Sequence, residues 1–286
     1  MIGIVTVNWN GYEMTRDLVE QVRHGETPDF KFIVVNNSAH ETEKFEKSPV
    51  ADERIRVIHS PENKGFSGGV NIGLRELLGD TSVSHFIIMN NDVKLEPDFI
   101  NQMLAKAKST DRIYAPLILL LDTELVYNTG GKVVTWLGGT INLNNHKPMN
   151  NLRKTQPDFF SGCVLFMHRK VVETVGLLDE AFGTYYEDVD FCYRAREKGI
   201  GIEMLRDVQA RHFHSYSTKG DNVFKIYLIN RNQILFARKH LQAIPRLVFI
   251  SAAIVRGFLM NLKPKKFKPY LRGVREGLAF NHQTRV

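Results

Sequence analysis

The sequence predicts an α/β fold, because apolar runs of strand length alternate with helical stretches over its first 110 residues and each run ends at polar residues. The clearest run lies in the segment 85–92, HFIIMNND, where four consecutive apolar residues stop at two amides and a carboxylate. An uninterrupted apolar run of this length is typical of a strand buried on both faces, as in a parallel sheet. Strands and helices in alternation favour a doubly wound half of the kind that binds nucleotides.

The first half reads in order as strands separated by helices. Strands are predicted at 2–8, 32–35, 55–58 and within 85–92, and helices at 14–23, after the glycine-rich segment NKGFSGGVNIG, and from Pro97 to about residue 108. The glycines at 65, 68, 69 and 73 are expected to let the backbone approach a neighbour closely. The segment is not a dinucleotide fingerprint, which follows the first strand directly, and a Walker A loop is absent from the sequence.

The pattern changes at residue 113. Short β-like pieces are predicted at 114–121, 132–136 and 159–167, with 142–151 as a mobile loop. A helix over 187–198 opens on carboxylates and closes at Gly199, and a strand follows at 200–205. We therefore predict a main domain over 1–220, divided into halves 1–112 and 113–220, and a helical extension over 221–286.

The composition indicates a globular protein. The chain is 43% hydrophobic and 24% charged, and its net charge of +7 is a mild excess that suits an anionic membrane surface or a phosphorylated substrate. Nucleic acid is disfavoured, because basic residues interleaved with aromatics occur only near the C-terminus. Cys163 and Cys192 have apolar neighbours, which predicts buried free thiols. Since the sequence has no signal-peptide pattern and no uninterrupted apolar run of about 20 residues, we expect a cytoplasmic protein.

Three polar clusters are candidates for one site. Asn91 and Asp92 follow a buried strand, at the edge where open α/β sheets bind ligands, although Asn-Asp pairs also form ordinary turns. Residues 187–190 place three carboxylates within four positions, and a cation would relieve their repulsion better than a helix N-terminus does. Asp92 and His212 could hold a divalent ion whose other ligands are phosphate oxygens and water. An imidazole ligand favours Mn²⁺ over Mg²⁺.

A series of motifs runs along about residues 1–240 in the order IVTVNWNG, IVVNNS, NKGFSGGVNIG, IIMNNDV, FFSGC, LLDEAFGTYYEDVDFCYR and ARHFHSYST. In this order they resemble the family 2 glycosyltransferases with a GT-A fold, especially the rhamnosyltransferase-like branch. The resemblance implies that 1–112 bind a nucleotide-sugar donor and that 113–220 bind the acceptor. It also implies an inverting, metal-dependent enzyme that moves a sugar to a hydroxyl of a glycan or lipid-linked acceptor in cell-surface polysaccharide synthesis.

The resemblance further implies roles for individual residues. Asp92 matches the metal-binding aspartate of the family's DXD-type motif, and His212 matches a histidine that completes the metal site in some members, so the expected cofactor is Mn²⁺ or Mg²⁺. Asp188 of the ED motif matches the catalytic base. The residues expected to bind substrate are Thr6, Asn8, Asn36, Asn63, Lys64, Gly65, Asn91 and Glu187.

Two departures from the family pattern leave alternatives open. Asn36 stands where the family commonly has Asp, and Asn90 and Asn91 stand where many members have a further Asp. Donor preference is therefore open, and metal binding would depend more on the pyrophosphate and on His212. The departures also fit a degenerate member that binds nucleotide or glycan without catalysis. A sugar-phosphate nucleotidyltransferase is a third interpretation, but it requires a Gly-rich loop with Arg just after the first strand, where this chain has NWNG.

The C-terminal extension combines apolar and basic stretches. Helices are predicted at 227–241 and 247–262, the second apolar apart from Arg256, and a basic tract follows it. The tract consists of Lys263, Lys265, Lys266, Lys268, Arg272 and Arg275. This pattern fits a segment that lies in a membrane interface and is attracted to anionic lipid, which would make the protein peripheral at the inner face of the cell membrane. It equally fits a helix packed on the body of the protein and followed by a solvated basic tail.

Overall fold

The computed structural model describes residues 1–25, 29–48, 52–213 and 222–280. The chain divides into two compact units. The first comprises Met1–Gly131, Asn142–Gly183 and Glu187–Ser217, and the second comprises Lys132–Ile141, Thr184–Tyr186 and Thr218–Val286.

The strands of the described residues are β1 Ile2–Asn8, β2 Phe30–Asn36, β3 Ile55–His59, β4 His85–Met89, β5 Val93–Leu95, β6 Arg112–Leu120, β7 Val126–Asn128, β8 Gly131–Val134, β9 Gly139–Asn142, β10 Val164–His168 and β11 Gly201–His212. The helices are α1 Tyr12–His24, α2 Thr42–Lys47, α3 Gly65–Leu78, α4 Phe99–Lys106, α5 Arg169–Val175, α6 Glu187–Glu197, α7 Asn222–His240, α8 Ala243–Met260 and α9 Pro264–Ala279.

A mixed sheet forms the centre of the first unit, in the order β3-β2-β1-β4-β10-β6-β11-β5, with β7 paired to β6. The strands β1 to β4 are mutually parallel, as the apolar runs predicted. β10 is antiparallel to both β4 and β6, so it reverses direction in the middle of the sheet. The predicted α/β class with a mixed central sheet is therefore confirmed, although the strand expected over 159–167 is confined to Val164–His168.

Strand register aligns polar residues at one edge of this sheet. Asn8 at the end of β1 pairs with Asn36 at the end of β2, and Asn36 pairs with His59 at the end of β3. β4 runs parallel to β1 and ends at Met89, so that Asn91 and Asp92 follow at the same edge. Parallel strands bring the polar residues that follow each apolar run to a common edge, which explains why dispersed motifs converge.

The glycine-rich segment is part of helix α3 itself. A Cβ on Gly73 would lie 2.6 Å from Cγ1 of Val5, and one on Gly69 would lie 2.8 Å from the side chain of Val7. The close approach predicted for these glycines is therefore the packing of α3 on β1. Gly65 differs, because its φ of +70° favours glycine and a Cβ would lie 2.8 Å from the backbone of Gly183.

The loop expected to be mobile is held by hydrogen bonds. The side chain of Asn144, which is buried, donates from its amide to Thr129 Oγ1 and to the Arg153 carbonyl, and its oxygen accepts from the Arg153 N–H. The Lys147 carbonyl also accepts the N–H of Val126. The mobility expected for 142–151 stays a prediction, but in the structure an asparagine of a type that often occupies turns joins three segments here.

The second unit is built from α7, α8, α9 and the β8–β9 hairpin. The stretch expected as a solvated basic tail is in fact helix α9, which lies against α7. The Tyr270 hydroxyl of α9 donates to the Ile254 carbonyl, and a Cβ on Gly277 would lie 2.8 Å from the Arg231 carbonyl oxygen. Although arginines interrupt it, α8 is the one helix of the described residues that is long and apolar enough to cross a membrane by length and composition.

Candidate active site

Asp92 and His212 meet at the sheet edge. Asp92 lies in the turn between β4 and β5, and His212 ends β11, which pairs with β5 so that His212 is opposite Val93. The Phe213 N–H donates to the Asp92 carbonyl at 3.0 Å. His212 Nε2 then lies 3.1 Å from Asp92 Oδ1, and each side chain is 7% exposed. Two residues that are 120 positions apart in the sequence thus become neighbours, as the metal hypothesis requires.

These two side chains fit part of a divalent-ion site. Among the described residues, no conventional hydrogen bond satisfies the buried Oδ1 atom of Asp92, which faces the imidazole of His212. A buried carboxylate oxygen whose one polar neighbour is an imidazole is poorly stabilised, so a bound ion would relieve it. No group of three or more His, Cys, Asp or Glu side chains suited to a metal occurs within the described parts of the chain. The protein therefore offers two ligands, and a bound diphosphate would have to supply others.

Asp188 is held at the N-terminus of α6. Its Oδ2 accepts the Gly162 N–H at 3.0 Å and its Oδ1 accepts the Val189 N–H at 2.8 Å. Gly162 leads into β10, which is the antiparallel neighbour of β4, and the Asn90 N–H donates to the Cys163 carbonyl at 2.9 Å. The loop before β10 therefore contacts Asp188 on one side and the end of β4 on the other. Asp188 and Asp92 accordingly lie at the same edge of the sheet.

Burial sets the charge properties of this carboxylate cluster. Burial raises the pKa of Asp188 above its ordinary value, against the backbone N–H groups that favour the ionised form. Burial and the nearby Asp188 charge raise the pKa of Glu187 well above its ordinary value, and its Oε2 has no hydrogen-bond partner among the described residues. Two neighbouring carboxyl groups with raised pKa values are typical of proton-transfer sites.

The third acidic residue of the cluster has a structural role. Asp190 is completely buried and forms a 2.7 Å ion pair with Arg194, one helical turn further along α6. The same guanidinium donates to the Val175 and Leu177 carbonyls at 2.8 Å. Asp190 thus fixes α6 to the preceding segment, and this leaves Glu187 and Asp188 as the carboxylates at the helix start.

A buried hydrogen-bond network lies beneath the ends of β1 and β2. The Asn8 amide donates to Asn36 Oδ1 at 2.9 Å and to Glu41 Oε2 at 2.8 Å, and Asn8 Oδ1 accepts from Thr15 at 2.8 Å. Asn91 donates to the same Thr15 hydroxyl at 2.8 Å. Asn8 is 0% exposed and Asn36 is 1% exposed, so both side chains are engaged within the protein.

Glu41 and Thr15 in this network were missed by sequence reasoning. Burial acts to raise the pKa of Glu41, but hydrogen bonds from Asn8 and the Tyr12 N–H, together with Lys44, hold the pKa below its ordinary value. Glu41 therefore places a buried negative charge behind the neutral Asn36. The surrounding sequence, AHETEK, is typical of a surface helix. Only the fold around Asn8 distinguishes Glu41 from the acidic residues next to it.

The remaining residues predicted to bind substrate lie around the start of α3. Asn63 Oδ1 accepts the Gly65 N–H at 2.8 Å, and the Gly65 carbonyl accepts from Asn37 at 2.8 Å. Lys64 is exposed, with Nζ 4.0 Å from Glu62. Thr6 is fully buried on β1, and its hydroxyl has no partner among the described residues. The turn that carries Lys64 is thus fixed at the end of β2, near the residues expected to face a nucleotide.

The two cysteines lie close to these carboxylates. Both are buried free thiols, as predicted. Burial, assisted by the Asp92 charge, raises the pKa of Cys163 well above its ordinary value, and burial raises the pKa of Cys192 to about 12. Both thiols are therefore protonated at neutral pH and act as apolar packing groups.

Comparison with known proteins identifies the family of this chain. Residues 3–176 match the family model described as Glycosyl transferase family 2. The low-salt glycan biosynthesis hexosyltransferase Agl10 of Haloferax volcanii is 26% identical over an alignment of 287 positions, which covers 97% of this chain and 91% of that protein. The dTDP-rhamnosyl transferase RfbF of Shigella flexneri is 23% identical over 203 residues, covering 69% of this chain and 63% of its own.

Solved structures show the same fold. The mannosyltransferase PcManGT from Pyrobaculum calidifontis, in complex with GDP-Man and Mn²⁺, has a TM-score of 0.58 at 14% identity and aligns over 98% of this chain and 75% of its own. GalNAc-T7, with UDP, GalNAc and Mn²⁺, has a TM-score of 0.61 at 15% identity over 98% of this chain and 56% of its own. The chain therefore belongs to glycosyltransferase family 2 and is a glycosyltransferase of glycan biosynthesis with a GT-A fold.

Proposed function

We propose that this glycosyltransferase is inverting and metal-dependent, and that it moves a sugar from a nucleotide diphosphate sugar to a hydroxyl of a glycan or lipid-linked acceptor in cell-surface polysaccharide synthesis. The observation that carries the proposal is the convergence of the Asp92–His212 pair and Asp188 at one sheet edge. Rhamnose is the candidate donor sugar, since a dTDP-rhamnosyl transferase is among the relatives. The chain's own motif order resembles that branch.

Asp92 and His212 would hold the divalent ion, Mn²⁺ or Mg²⁺. When bound, such an ion stabilises the negative charge that gathers on the departing diphosphate. The imidazole nitrogen favours Mn²⁺, and the single carboxylate leaves positions for phosphate oxygens. Mn²⁺ in the structures of PcManGT and GalNAc-T7 supports this choice.

Asp188 would act as the general base. The carboxylate accepts the proton of the acceptor hydroxyl while that oxygen forms a bond to the anomeric carbon and the bond from this carbon to the diphosphate breaks. Attack from the face opposite the diphosphate inverts the anomeric configuration, and no covalent intermediate is needed. A raised pKa makes the carboxylate a stronger base, which suits a hydroxyl whose pKa is far above neutral.

The donor pocket would lie over the ends of β1 and β2. Asn36 already donates to the Ser38 carbonyl at 3.1 Å and to Thr42 Oγ1 at 3.3 Å, and it lies 3.1 Å from the ring of His59. A direct contact of the Asn36 side chain with base or ribose would have to replace one of these bonds. We therefore propose that Thr6, Asn8 and Asn36 shape the pocket floor, and that the exposed Lys64 reaches a phosphate.

One experiment tests the reaction class. Purified protein is incubated with Mn²⁺ and a panel of nucleotide sugars that includes dTDP-rhamnose, GDP-mannose and UDP-N-acetylglucosamine, and release of nucleoside diphosphate is measured. We expect release with one donor, stimulation by acceptor, and loss on addition of chelator. Inversion is checked by the NMR anomeric coupling of the product. A product with retained configuration would overturn the mechanism.

A second measurement tests the metal ligands without activity. We expect Mn²⁺ with nucleoside diphosphate to raise the melting temperature of the wild type but not of Asp92→Asn. Asp98→Asn is the matched control, since Asp98 is exposed and has a left-handed backbone, which asparagine tolerates. An equal shift in Asp92→Asn and wild type would contradict the ligand assignment.

A degenerate family member that binds nucleotide or glycan without catalysis is the second candidate. It is favoured by Asn36 and by the motif reduced to one carboxylate. This protein would show the Mn²⁺-dependent thermal shift with nucleotide but no diphosphate release with any donor and acceptor. Turnover above the rate of spontaneous hydrolysis would exclude it.

We also propose that the acceptor is lipid-linked and is met at the inner face of the cell membrane by a cytoplasmic, peripheral protein. The apolar helix α8 and the basic helix α9 support this proposal. Transfer rates would be compared between a saccharide on a prenyl diphosphate in vesicles and the same saccharide free in solution. Equal rates would contradict a lipid-linked acceptor.

A further inference from the structure

Helix α8 has an apolar face that the second unit leaves uncovered. Its exposed large apolar side chains range from 44% to 77% exposed and include Ile244, Leu247, Val248, Val255, Phe258, Leu259 and Met260. Apart from Met260, which ends the helix on the side of Gly257, these positions recur at helical spacing and form a stripe opposite the buried Phe249, Ala253 and Gly257. At 1.5 Å per residue the stripe is about 24 Å long. Exposed apolar patches of such extent mark interaction surfaces.

The opposite side of α8 is fixed to its own unit. Phe249 and Ala253 pack in a cluster with Ala237 of α7. The Arg256 guanidinium donates to the Gly138 carbonyl at 3.1 Å and to Gln233 at 2.9 Å. A helix that crosses a bilayer alone is surrounded by acyl chains, but here one side carries these polar groups and packs on protein. The arrangement suits a helix that lies along a surface.

The helical segment 222–280, which includes α8, carries a strongly positive charge. Residues 222–280 contain twelve lysines and arginines against one glutamate, whereas the rest of the chain contains 26 basic and 30 acidic residues. Lys263, Lys265, Lys268, Arg272 and Arg275 of the α9 segment are exposed. A second copy of the same face would bring like charge against like charge, which opposes self-association. An anionic surface with an apolar interior is complementary to both features.

The segment that packs on α8 adds an exposed tryptophan. Trp136 lies in the short helical turn Thr135–Leu137 and is 75% exposed. A Cβ on the following Gly138 would collide with the backbone of Ala253, which shows how closely this segment approaches α8. Tryptophan favours the level of lipid headgroups, where its ring is in contact with both apolar and polar groups.

We infer that α8 lies in the plane of an anionic membrane interface, with the Leu247–Leu259 side inserted among the acyl chains and the exposed cations of α9 on the headgroups. The proposed function locates the protein at a membrane, and this inference specifies which surface of the protein binds there. It rests on the proposed function only for the position of the acceptor. Vesicle binding measured without donor or acceptor reports on the surface alone, so it can succeed or fail independently of the transfer reaction.

The charge arm of the test uses vesicles of phosphatidylcholine alone and of equimolar phosphatidylcholine and phosphatidylglycerol, in a sedimentation assay with the full chain. We expect binding to the anionic vesicles only. The double variant Lys265→Gln/Lys268→Gln should bind about 30-fold more weakly, given the usual contribution of a lysine near such a surface. Lys108→Gln/Lys154→Gln removes the same charge from exposed positions of the first unit and should bind like the wild type.

The apolar arm uses Leu247→Gln/Leu259→Gln. Both leucines are more than 60% exposed, so the melting temperature should be unchanged while vesicle binding falls about tenfold or more for each leucine. In a Trp9→Tyr background, the emission of Trp136 should shift to the blue on anionic vesicles. Equal binding by this double variant and wild type would overturn the inference. A concentration-dependent dimer in light scattering that these substitutions abolish would assign the stripe to self-association and overturn it as well.

Discussion

Replacing Asp188 by asparagine should separate donor binding from chemistry. A general base typically contributes about 10²- to 10⁴-fold to the rate, so kcat should fall by at least about 100-fold. The donor contacts ascribed to other residues are untouched, so the Kd for nucleotide sugar in titration calorimetry should change by less than about threefold, or below 1 kcal/mol. The base assignment requires this contrast between rate and affinity.

The structure also indicates that the Asp188→Asn variant should fold. The amide oxygen can still accept one of the two N–H groups, from Gly162 or Val189, whereas the other would face an NH₂ group at a cost of about 1–3 kcal/mol. Loss of the repulsion with Glu187 acts in the opposite direction, because the Asp188 charge contributes to the raised pKa of Glu187. The melting temperature is therefore expected to stay close to that of the wild type, and circular dichroism checks it.

The pH profile gives an independent readout of the same residue. A base acts only when it is deprotonated, so wild-type kcat should rise with pH through the raised pKa of Asp188 and then level off. Because Glu187 is adjacent, the apparent pKa belongs to the carboxylate pair. In Asp188→Asn this rise of kcat with pH should disappear. A variant that keeps more than about a tenth of wild-type kcat, with the rise intact, would refute the reasoning.

Three further substitutions test the packing around the site by thermal or denaturant unfolding. Asp190→Asn should lower the free energy of unfolding by about 3 kcal/mol, because it leaves the Arg194 guanidinium without its buried partner. Glu187→Gln should raise the free energy of unfolding at neutral pH. The folded-state pKa of Glu187 lies above its ordinary value of 4.5, so between these two pKa values the unfolded state binds fewer protons than the folded state. Wild-type stability therefore falls as the pH rises through that interval. Gly73→Ala should cost about 1–3 kcal/mol, since its Cβ would meet the Val5 side chain.

Each of these has an outcome that would contradict it. An Asp190→Asn variant as stable as the wild type would show that Arg194 is satisfied by its backbone acceptors alone. A Glu187→Gln variant that gains no stability at pH 7 but does so at low pH would reverse the sign of the linkage argument. For Gly73→Ala, adding Val5→Ala should recover stability beyond the sum of the single effects, and strict additivity would exclude the proposed contact.

Sequence reasoning was most successful where a local pattern is sufficient. The apolar run in 2–8 predicted both ends of β1, and the run at 85–89 predicted β4. These predictions succeeded because a strand buried on both faces needs consecutive apolar side chains. Both cysteines were predicted to be buried and free from their apolar neighbours alone. The order of the motifs indicated the family, which the family model over residues 3–176 confirms.

Long-range strand pairing is not encoded in a local sequence pattern, and there the prediction was wrong. Only 200–205 was predicted as strand, yet β11 runs over Gly201–His212, with a register shift between Leu205 and Gln209. The charged residues at that irregularity break the apolar pattern, so the continuation to His212 cannot be inferred locally. It is this continuation, paired with β5, that brings His212 to Asp92.

The sequence by itself determined the fold class, the strands buried on both faces and the identity of the candidate carboxylates, because apolar runs and polar strand ends are local properties of the chain. Tertiary structure alone decided which acidic residues are paired and which are left without partners. Asp190 is neutralised by Arg194, Glu41 is bound by Asn8, and the Oε2 atom of Glu187 is buried without a hydrogen-bond partner among the described residues. The physical reason is that a carboxylate's charge state depends on its desolvation and its neighbours, and these are fixed only when distant segments pack together.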